Sequence, residues 1–416
     1  MTADPPPPLS RRPRTLVLAA GAVVAVAAVV TVAVLAGGGH GTDSADGADG
    51  KGGTPTPAAD GLPHTAVDVS TGSCGKGWTR PRTGTQVFDL HNSGGSASEV
   101  YLADPKSGKL YGELEGLAPG TTRSMLVDLG SGTYAFKCLQ EDTDAVTGPS
   151  VTVPGTVPQG PATLPVTQHD MIPPTLGYQQ WIGARMSELA RGTAVLKADI
   201  DRGDLTAAKQ DWLTAHLVYE RMGAAYGTFG DADGAINGTA ARTQGAVDDP
   251  SFTGFHRVEY GLWHGAAASS LKAPATKLDS DVRALRDSWS QARMDPADMG
   301  LRAHEIMENT EQFELTGRTD YGSGTNLATA RANLDGTREI LTRLRSLLAP
   351  RDPALPQLDA ALDRLQHALD AADHGGSWTP LDRLGQARRE QINADTGALL
   401  EQLAPVAAIF DVRRTA

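Results

Sequence analysis

A proline-rich stretch, VPQGPATLP at residues 157–165, separates two kinds of hydrophobic pattern in this 416-residue chain. Before it, from about residue 64, apolar residues come in short, often alternating runs broken by turn sequences such as NSGG, PKSG and LAPG. After it, apolar residues recur at three- and four-residue spacing over much longer segments. Because side chains repeat every two residues in a strand and every 3.6 in a helix, the sequence predicts a β domain followed by a helical domain.

The helical domain is predicted over residues 160–416. Six segments carry the helical pattern, and they begin with YQQWIG, DLTAAK, DPADMG, TNLATA, PALPQL and TPLDRL. Helices of this length joined by short connections pack side by side, so we expect an all-α helical bundle.

The β domain is predicted over residues 64–155 as a small all-β sandwich, because several short strands follow one another at close spacing. It contains the two cysteines of the chain, Cys74 before the first clear strand and Cys138 in a late one. A disulfide is the simplest interpretation in an exported protein, and a metal-binding thiolate pair is the alternative.

The N-terminal region predicts export. A basic stretch at residues 1–15, containing SRRPRT, precedes an unbroken apolar run at residues 16–36 that is long enough to span a bilayer. Arginines before such a run favour the cytoplasmic side, which places the remainder of the chain outside the cytoplasm. The run is either a retained transmembrane anchor in the cell membrane or a cleaved signal segment of a secreted protein. Residues 37–63 are rich in glycine and small polar residues and predict a flexible linker.

Composition and missing motifs argue against several classes of function. A formal net charge of -12 would repel nucleic acid. The chain has no GxSxG nucleophile motif, no glycine-rich nucleotide loop and no HExxH zinc-peptidase motif. A blue-copper centre is also disfavoured, because no histidine follows Cys138 in CLQEDTDAVTGP.

Three pairs of histidine and glutamate stand at helical spacing in the predicted bundle. The pairs are His256 with Glu259, His216 with Glu220, and His304 with Glu308, the last with Glu305 beside it. Residues three or four apart lie on one helix face, so each pair could offer a nitrogen and an oxygen to one metal ion. Each could equally form a local ion pair on a solvated face. Sequence spacing leaves both interpretations open.

Four segments, taken together, resemble the imelysin family and the module that precedes it. DWLTAHLVYERMGAAYGTFGD resembles the family's YER helix and the FGD that follows it, and FTGFHRVEYGLWHG resembles its GxHxxE signature. GRTDYGSGTNLATARANLDGTREIL resembles the late segment of the family. In the β region, LAPGTTRSMLVDLGSGTYAFKC resembles the cupredoxin-like module found before the imelysin domain in EfeO-type iron-uptake components. The resemblance covers nearly everything after residue 64.

This resemblance implies an extracytoplasmic protein without enzymatic activity that binds iron, ferrous or ferric, ahead of zinc or copper. Such a protein helps to deliver iron to a membrane permease, often beside a haem-containing peroxidase. The implied ligands in the helical domain are His256 and Glu259, with Glu220 matching the glutamate of YER. For the cupredoxin-like module the resemblance implies a second metal site, unless its cysteines form a disulfide, at Cys74, Cys138, Glu99 and Glu113.

The chain also departs from the family's pattern at positions where members often carry donors. These positions are Arg185, Gly223, Gly324 and Asn326. Fewer donors should weaken a site for a hard cation, or move it to the alternative ligands His304, Glu305 and Glu308. A second hypothesis is therefore an exported binding or scaffold module with a decayed metal site. A metal-dependent peptidase is a distant third hypothesis.

Overall fold

A computed structural model describes residues 60–240 and 248–414. The predicted basic N-terminus, the apolar run at 16–36 and the linker up to residue 59 lie outside the described residues. Within the described ranges, no helix combines the length and the apolar character needed to cross a bilayer.

The first part of the described chain is built from β-strands arranged in two sheets. The strands are β1 (His64–Val69), β2 (Gly84–Asn92), β3 (Ser98–Ala103), β4 (Leu110–Leu117), β5 (Thr122–Leu129), β6 (Gly132–Gln140), β7 (Val146–Thr147) and β8 (Val151–Val153). One sheet has the order β1-β2-β5, with β1 parallel to β2. The other has the order β4-β3-β6-β7, and β8 pairs with β6. A single apolar core contains side chains from both sheets.

Alternation along the strands decides what lies in this core. On β3, Val100 and Leu102 belong to the core, whereas Glu99 and Tyr101 lie at the odd positions and point to the other face of the sheet. Cys138 pairs with Val100 across the ladder, shares the core face and forms a disulfide with Cys74. Of the two interpretations of the cysteines, a disulfide or a metal-binding thiolate pair, the structure therefore contains the disulfide.

The second part contains ten α-helices among its described residues. They are α1 (Gln168–Arg202), α2 (Leu205–Glu220), α3 (Tyr226–Phe229), α4 (Asp231–Asn237), α5 (Gly254–Trp263), α6 (Ala268–Ser288), α7 (Met299–Asn309), α8 (Asn326–Leu348), α9 (Leu355–Asp370) and α10 (Gln386–Ile409). One large apolar core joins them. The predicted order, a β region followed by a helical region, is confirmed, and the assignment of the β region as cupredoxin-like stays a prediction.

Local sequence signals explain how α1 and α2 form a hairpin. Thr167 caps α1 by accepting from the backbone N–H of Asp170, whose carboxylate accepts from the N–H of Thr167 in return. Gly203 ends α1 in the left-handed conformation at φ 83°, which costs glycine little. The Asp204 side chain then accepts from the N–H of Ala207 and begins α2.

The helical segment that begins with DLTAAK is broken after Glu220. A 3₁₀ turn at Gly223–Ala225 follows, and the short helix α3 begins at Tyr226. Glycine disfavours a continued helix. A Cβ on Gly223 would stand only 3.0 Å from the side chain of Ile306, so the close approach of α7 also favours glycine at this point.

Arginines near helix ends connect the helical region to the β region and to the proline-rich stretch between the two. Arg351, just after α8, donates to the carbonyl oxygens of Leu164 and Pro165 at 3.1 and 3.0 Å. After α10, the guanidinium of Arg413 lies 2.7 Å from Glu113 on β4. Arg414 lies 3.3 Å from Glu99 on β3.

Breaking the Cys74–Cys138 bond should destabilise the β region. The bond closes a loop with a sequence separation of 64, and cross-links of this size contribute about 2–4 kcal/mol by restricting the unfolded chain. We expect the double variant Cys74→Ser, Cys138→Ser to unfold at lower temperature in differential scanning calorimetry. Reductant should lower the transition of the native protein to the same point and leave the variant unchanged. If reductant changed the unfolding temperature of both proteins equally, the assignment of a disulfide between Cys74 and Cys138 would be contradicted.

Candidate metal site

Helices α2 and α5 place two of the predicted pairs side by side in the helical core. The indole N–H of Trp212 on α2 donates to the carbonyl oxygen of Phe255 on α5 at 2.9 Å, which holds the two helices together. The rings of His216 and His256 lie 5.5 Å apart between centroids. Both histidines and their partner glutamates are buried. Packing therefore joins pairs that are distant in sequence into one polar cluster.

Glu259 has both carboxylate oxygens occupied by donors. Its Oε2 lies 3.1 Å from Nδ1 of His256. Its Oε1 accepts from the backbone N–H groups of Tyr321 and Ser323 and from the Ser323 hydroxyl, at 3.0, 3.1 and 2.6 Å. Burial would raise the pKa of Glu259, but the hydrogen bonds from His256 and Ser323 and the charge of His256 outweigh it and hold the pKa below its ordinary value. Glu259 is therefore an ionised acceptor that is already saturated.

The contact with Glu259 sets the orientation of His256. A carboxylate can only accept, so Nδ1 of His256 carries the proton in this contact. In the neutral ring Nε2 then keeps its lone pair, and the ring lines a cavity. A carboxylate that orients a histidine in this way is a common arrangement behind metal ligands. This arrangement leaves Nε2 of His256 available to an ion and occupies both oxygens of Glu259. That both residues are metal ligands, as the resemblance implied, stays a prediction.

Glu220 is the second buried carboxylate of the cluster. Its Oε1 lies 2.9 Å from Nε2 of His216 and accepts from the Asn237 amide at 2.7 Å. Its Oε2 lies 3.3 Å from the Tyr226 hydroxyl. Burial opposes the charge of Glu220, but the charge of His216 and its hydrogen bond lower the pKa. The Nδ1 atom of His216 is buried without a hydrogen-bond partner.

Glu314 completes the cluster and was not among the predicted ligands. It ends a π-helical turn, Thr310–Glu314, that follows α7. Its oxygens accept from the Thr319 hydroxyl at 2.6 Å and from the Asn326 amide at 3.0 Å. Burial, followed by the charge of Glu220, raises the pKa of Glu314 to about 7. The sequence predicts a plain α-helix here, and a π turn, which often occurs at functional sites, leaves no mark in the spacing.

A cavity of about 360 Å³ joins these groups. Its lining includes His256, Glu220 and Glu314, together with Glu305 on α7. The remaining polar lining is supplied by Tyr226, Asp233, Asn237, Thr239, Arg302, Asn309, Thr319 and Asn333. Carboxylates outnumber the single arginine among the described lining residues, so the cavity suits a cation better than an anion.

The alternative ligands on α7 are only partly brought to this cavity. Glu305 lines it and forms an ion pair with Arg302. His304 and Glu308 are not among its lining residues, and their contact of 3.7 Å involves side chains that are 23% and 45% exposed. The buried face of α7 consists of Ala303, Ile306 and Met307 with neighbouring residues, so His304 and Glu308 point away from it.

The four residues predicted for a second metal site do not come together. Cys74 and Cys138 are bonded inside the sandwich, and a disulfide offers no thiolate ligand. Glu99 and Glu113 lie on the opposite face of the sheet, next to Arg414 and Arg413. Because successive side chains of a strand point to opposite faces, these cysteines and glutamates cannot share an ion in this fold.

The four positions that depart from the family's pattern differ from one another in whether they reach the cavity. Arg185 is partly exposed, pairs with Glu188 and is not among the residues that line the cavity. Gly223 lines the cavity without offering a donor. Asn326 donates to Glu314, and Gly324 takes a left-handed conformation at φ 67° in the loop before α8.

Across residues 60–240 and 248–414, no three His, Cys, Asp or Glu side chains already surround a point that could hold a metal ion.

Comparison with known proteins places the helical region in one family and finds similar proteins of iron uptake systems. A family model described as Imelysin, a family that also carries a peptidase label, matches residues 175–406. A protein of Escherichia coli named iron uptake system component EfeO is 27% identical over 300 residues, which is 71% of this chain and 77% of that protein. The protein of the same name from Shigella flexneri matches to the same extent.

A solved structure is also similar in part. A chain from Parabacteroides distasonis, provisionally named iron-regulated protein A precursor, superposes with a TM-score of 0.43 at 12% identity. The match covers 58% of this chain and 95% of that one. No functional conclusion follows from a likeness of this size.

Replacing Glu314 with glutamine should change how stability depends on pH. The pKa of Glu314 is about 7 in the folded protein against 4.5 for an ordinary glutamate, so the folded state holds this proton more tightly than the unfolded state. Its contribution to the free energy of unfolding is then fully present below about pH 4.5 and is lost as the pH rises through about 7. Glu314→Gln should remove this loss, a relative gain on the order of 2 kcal/mol between pH 5 and pH 8.

The measurement is urea unfolding of both proteins at several pH values. Glu311→Gln, three residues away on the same turn but outside the cluster, is the matched control and should follow the native protein. A Glu314→Gln variant whose stability falls with pH as steeply as the native protein would show that Glu314 does not titrate in this window.

Proposed function

The chain belongs to the imelysin family, and from this premise we propose that it is the iron-binding component of an uptake system outside the cytoplasm. The relatives named above are components of iron uptake systems, which supports iron as the cargo. The apolar run at residues 16–36 supports a location outside the cytoplasm, either anchored in the cell membrane or secreted. The proposed role is binding and delivery rather than catalysis.

The burial of three carboxylates in one cluster, two of which line the cavity, is the observation that carries this proposal. Glu220, Glu259 and Glu314 are at most 8% exposed. Within the described residues none of them pairs with a lysine or arginine, and their partners are histidine, amide and hydroxyl groups. Burying acidic groups without a full counter-charge destabilises a fold by several kcal/mol. A cation in the cavity would remove this cost.

The contacts within the cluster support different roles for its members. His256 would supply Nε2, and Glu220 and Glu314 would supply oxygens, while Glu259 fixes the ring of His256. Because no three donors already surround one point, binding requires rotation of the Glu220 or Glu314 side chain. The Glu305 carboxylate can add an oxygen ligand to the ion once its ion pair with Arg302 is broken. Imidazole with several carboxylates suits iron better than copper. His304 and Glu308 are left out of this set because they lie away from the cavity.

The partners of this protein follow from the same family. We propose that iron held in the cavity passes to a membrane permease, with a haem-containing peroxidase as a further component of the system. The cavity lies in the helical region, so a permease would have to approach that region to receive the ion.

A scaffold function is the second candidate. Gly223 and Gly324 offer no donor side chain, and Asn326 already donates to Glu314. A protein that lost its site through such changes would still fold and would act through protein contacts alone. The two functions differ in one property, stoichiometric metal binding.

Calorimetric titration of the purified full-length protein separates them. Ferrous iron under nitrogen, ferric iron as its nitrilotriacetate complex, and zinc are each titrated into the native protein. We expect one iron ion per chain, with binding abolished in His256→Ala. Glu259→Gln should weaken binding about 10- to 100-fold, as is typical when a group that orients a metal-bound histidine is changed.

His304→Ala is the matched control, since it removes a histidine of the same domain that lies outside the cavity. It should bind iron as the native protein does. Absence of iron binding by the native protein would favour the scaffold function. Binding that survives in His256→Ala but is lost in His304→Ala would move the site to α7.

A further inference from the structure

We infer that a second cavity, lined by the β region, the proline-rich stretch and the segment after α10, is a binding site for a small organic carboxylate. The cavity has a volume of about 310 Å³ and shares no lining residue with the candidate metal site. Its size is at the lower end of the range for small-molecule sites. The inference concerns a different ligand at a different place and does not depend on iron binding.

The floor of this second cavity is the outer face of the β4-β3-β6-β7 sheet. Tyr101 and Ala103 on β3 stand opposite Lys137 and Ala135 on β6 across the ladder, and all four line the cavity. Because alternate residues of β3 belong to the apolar core, these side chains point away from that core. The two alanines carry only a methyl group each, so the sheet has a hollow where they pair.

Backbone hydrogen bonds hold the other two parts of the lining in place. Leu110 on β4 and Thr163 exchange backbone hydrogen bonds of 2.8 and 2.9 Å, which hold the proline-rich stretch against the sheet and place Pro165 in the lining. The N–H of Arg413 donates to the carbonyl oxygen of Val166 at 2.8 Å, which fixes the segment after α10. Since these bonds involve only the backbone, the cavity is formed before a ligand arrives.

The charged residues of the lining are three cations and one carboxylate. The cations are Lys137, Arg413 and Arg414, and the carboxylate is Asp104. Both oxygens of Asp104 are occupied, one by two backbone N–H groups and the other by a hydroxyl, all within the turn that follows β3. The cations are therefore the charged groups that can meet a ligand.

Carboxylates outside the lining occupy the two arginines only in part. Nε of Arg413 lies 2.7 Å from Oε1 of Glu113, but both atoms are buried without a hydrogen-bond partner, so this contact lacks hydrogen-bond geometry. Nη1 of Arg413 donates to the carbonyl oxygen of Asp411 and lies 3.2 Å from its carboxylate. Nη1 of Arg414 donates to Glu99 at 3.3 Å.

The remaining guanidinium groups are what a ligand would meet. Among residues 60–240 and 248–414, Nη2 of neither Arg413 nor Arg414 donates a hydrogen bond. The neighbouring carboxylates of Glu99, Glu113 and Asp411 offset much of the positive charge. Recognition in this cavity therefore depends on directed N–H donors and on shape rather than on net charge.

The chemistry of the lining selects the class of ligand. A guanidinium is a planar fork whose parallel N–H groups match the two oxygens of a carboxylate. The apolar lining of Ala103, Leu110, Ala135 and Pro165 suits a hydrocarbon chain, which an inorganic anion lacks. Two arginines beside an apolar hollow thus fit a short dicarboxylate better than phosphate or sulfate.

The test is isothermal titration calorimetry of the full-length, metal-free protein with succinate, and with sulfate as the inorganic anion. We expect one succinate molecule per chain. Sulfate should bind about tenfold more weakly, because it cannot bury the two methylene groups of succinate. Arg414→Gln should weaken succinate binding about tenfold or more, because it removes a hydrogen bond between charged groups.

Ala103→Leu tests the shape of the cavity with every cation retained. The larger side chain would fill the hollow, so succinate binding should again fall about tenfold or more. Both variants should keep the thermal unfolding midpoint within a few degrees, because neither side chain belongs to the apolar core. If Ala103→Leu unfolds earlier, Arg414→Gln still decides the assignment.

Arg345→Gln is the matched control for the loss of charge. The Arg345 side chain is 49% exposed and pairs with Asp359, much as that of Arg414 is 40% exposed and pairs with Glu99. Arg345 is not part of the cavity lining. This variant should bind succinate within about twofold of the native protein, because distant and independent sites do not affect one another.

Several results would overturn the inference. They are absence of succinate binding at millimolar concentrations, sulfate that binds as tightly as succinate, and binding that Arg414→Gln and Ala103→Leu leave unchanged. Equal weakening in Arg345→Gln and Arg414→Gln would show a general effect of charge and would also overturn it. Because these titrations contain no metal, none of their outcomes bears on iron binding, which the titration of His256→Ala decides separately.

Discussion

The hydrogen bonds accepted by Glu259 are the constraint on which the rest of the site depends. This carboxylate is 1% exposed and remains ionised because donors reach both of its oxygens. The donors on one oxygen come from Tyr321 and Ser323 in the loop before α8, and the donor on the other is His256 on α5. One buried charge thus fixes the α5 helix, the loop before α8 and the protonated nitrogen of His256 at the same time.

The remaining members of the cluster are placed by apolar packing around that charge. Trp212 binds the backbone of α5 and stacks against His216, with 4.8 Å between the ring centroids. The large apolar core stabilises the fold enough to tolerate acidic groups that, among residues 60–240 and 248–414, have no lysine or arginine partner. Buried acidic groups with perturbed pKa values that gather beside a cavity are typical of functional sites.

Much of the architecture and half of the site could be predicted from the sequence. The change of period at residues 157–165 correctly separated strands from helices. The spacing proposed three pairs of histidine and glutamate as candidates without showing which of them face inward. The pair His304 and Glu308 has the same spacing but lies outside the apolar stripe formed by Ala303, Ile306 and Met307. Spacing shows that two residues share a helix face, whereas the apolar stripe shows which face is buried.

The sequence by itself determined the local elements, the two cysteines available for a cross-link and the residue types that a metal site could use. Only the tertiary structure decided that Glu259 positions His256, that Glu314 joins the cluster through a π turn, and that Glu99 and Glu113 are separated from the disulfide by the plane of a sheet. The reason is physical. Periodicity is a property of neighbouring residues, but Tyr321 and Ser323, which donate to Glu259, lie 62 and 64 positions away and meet it only when the helices pack.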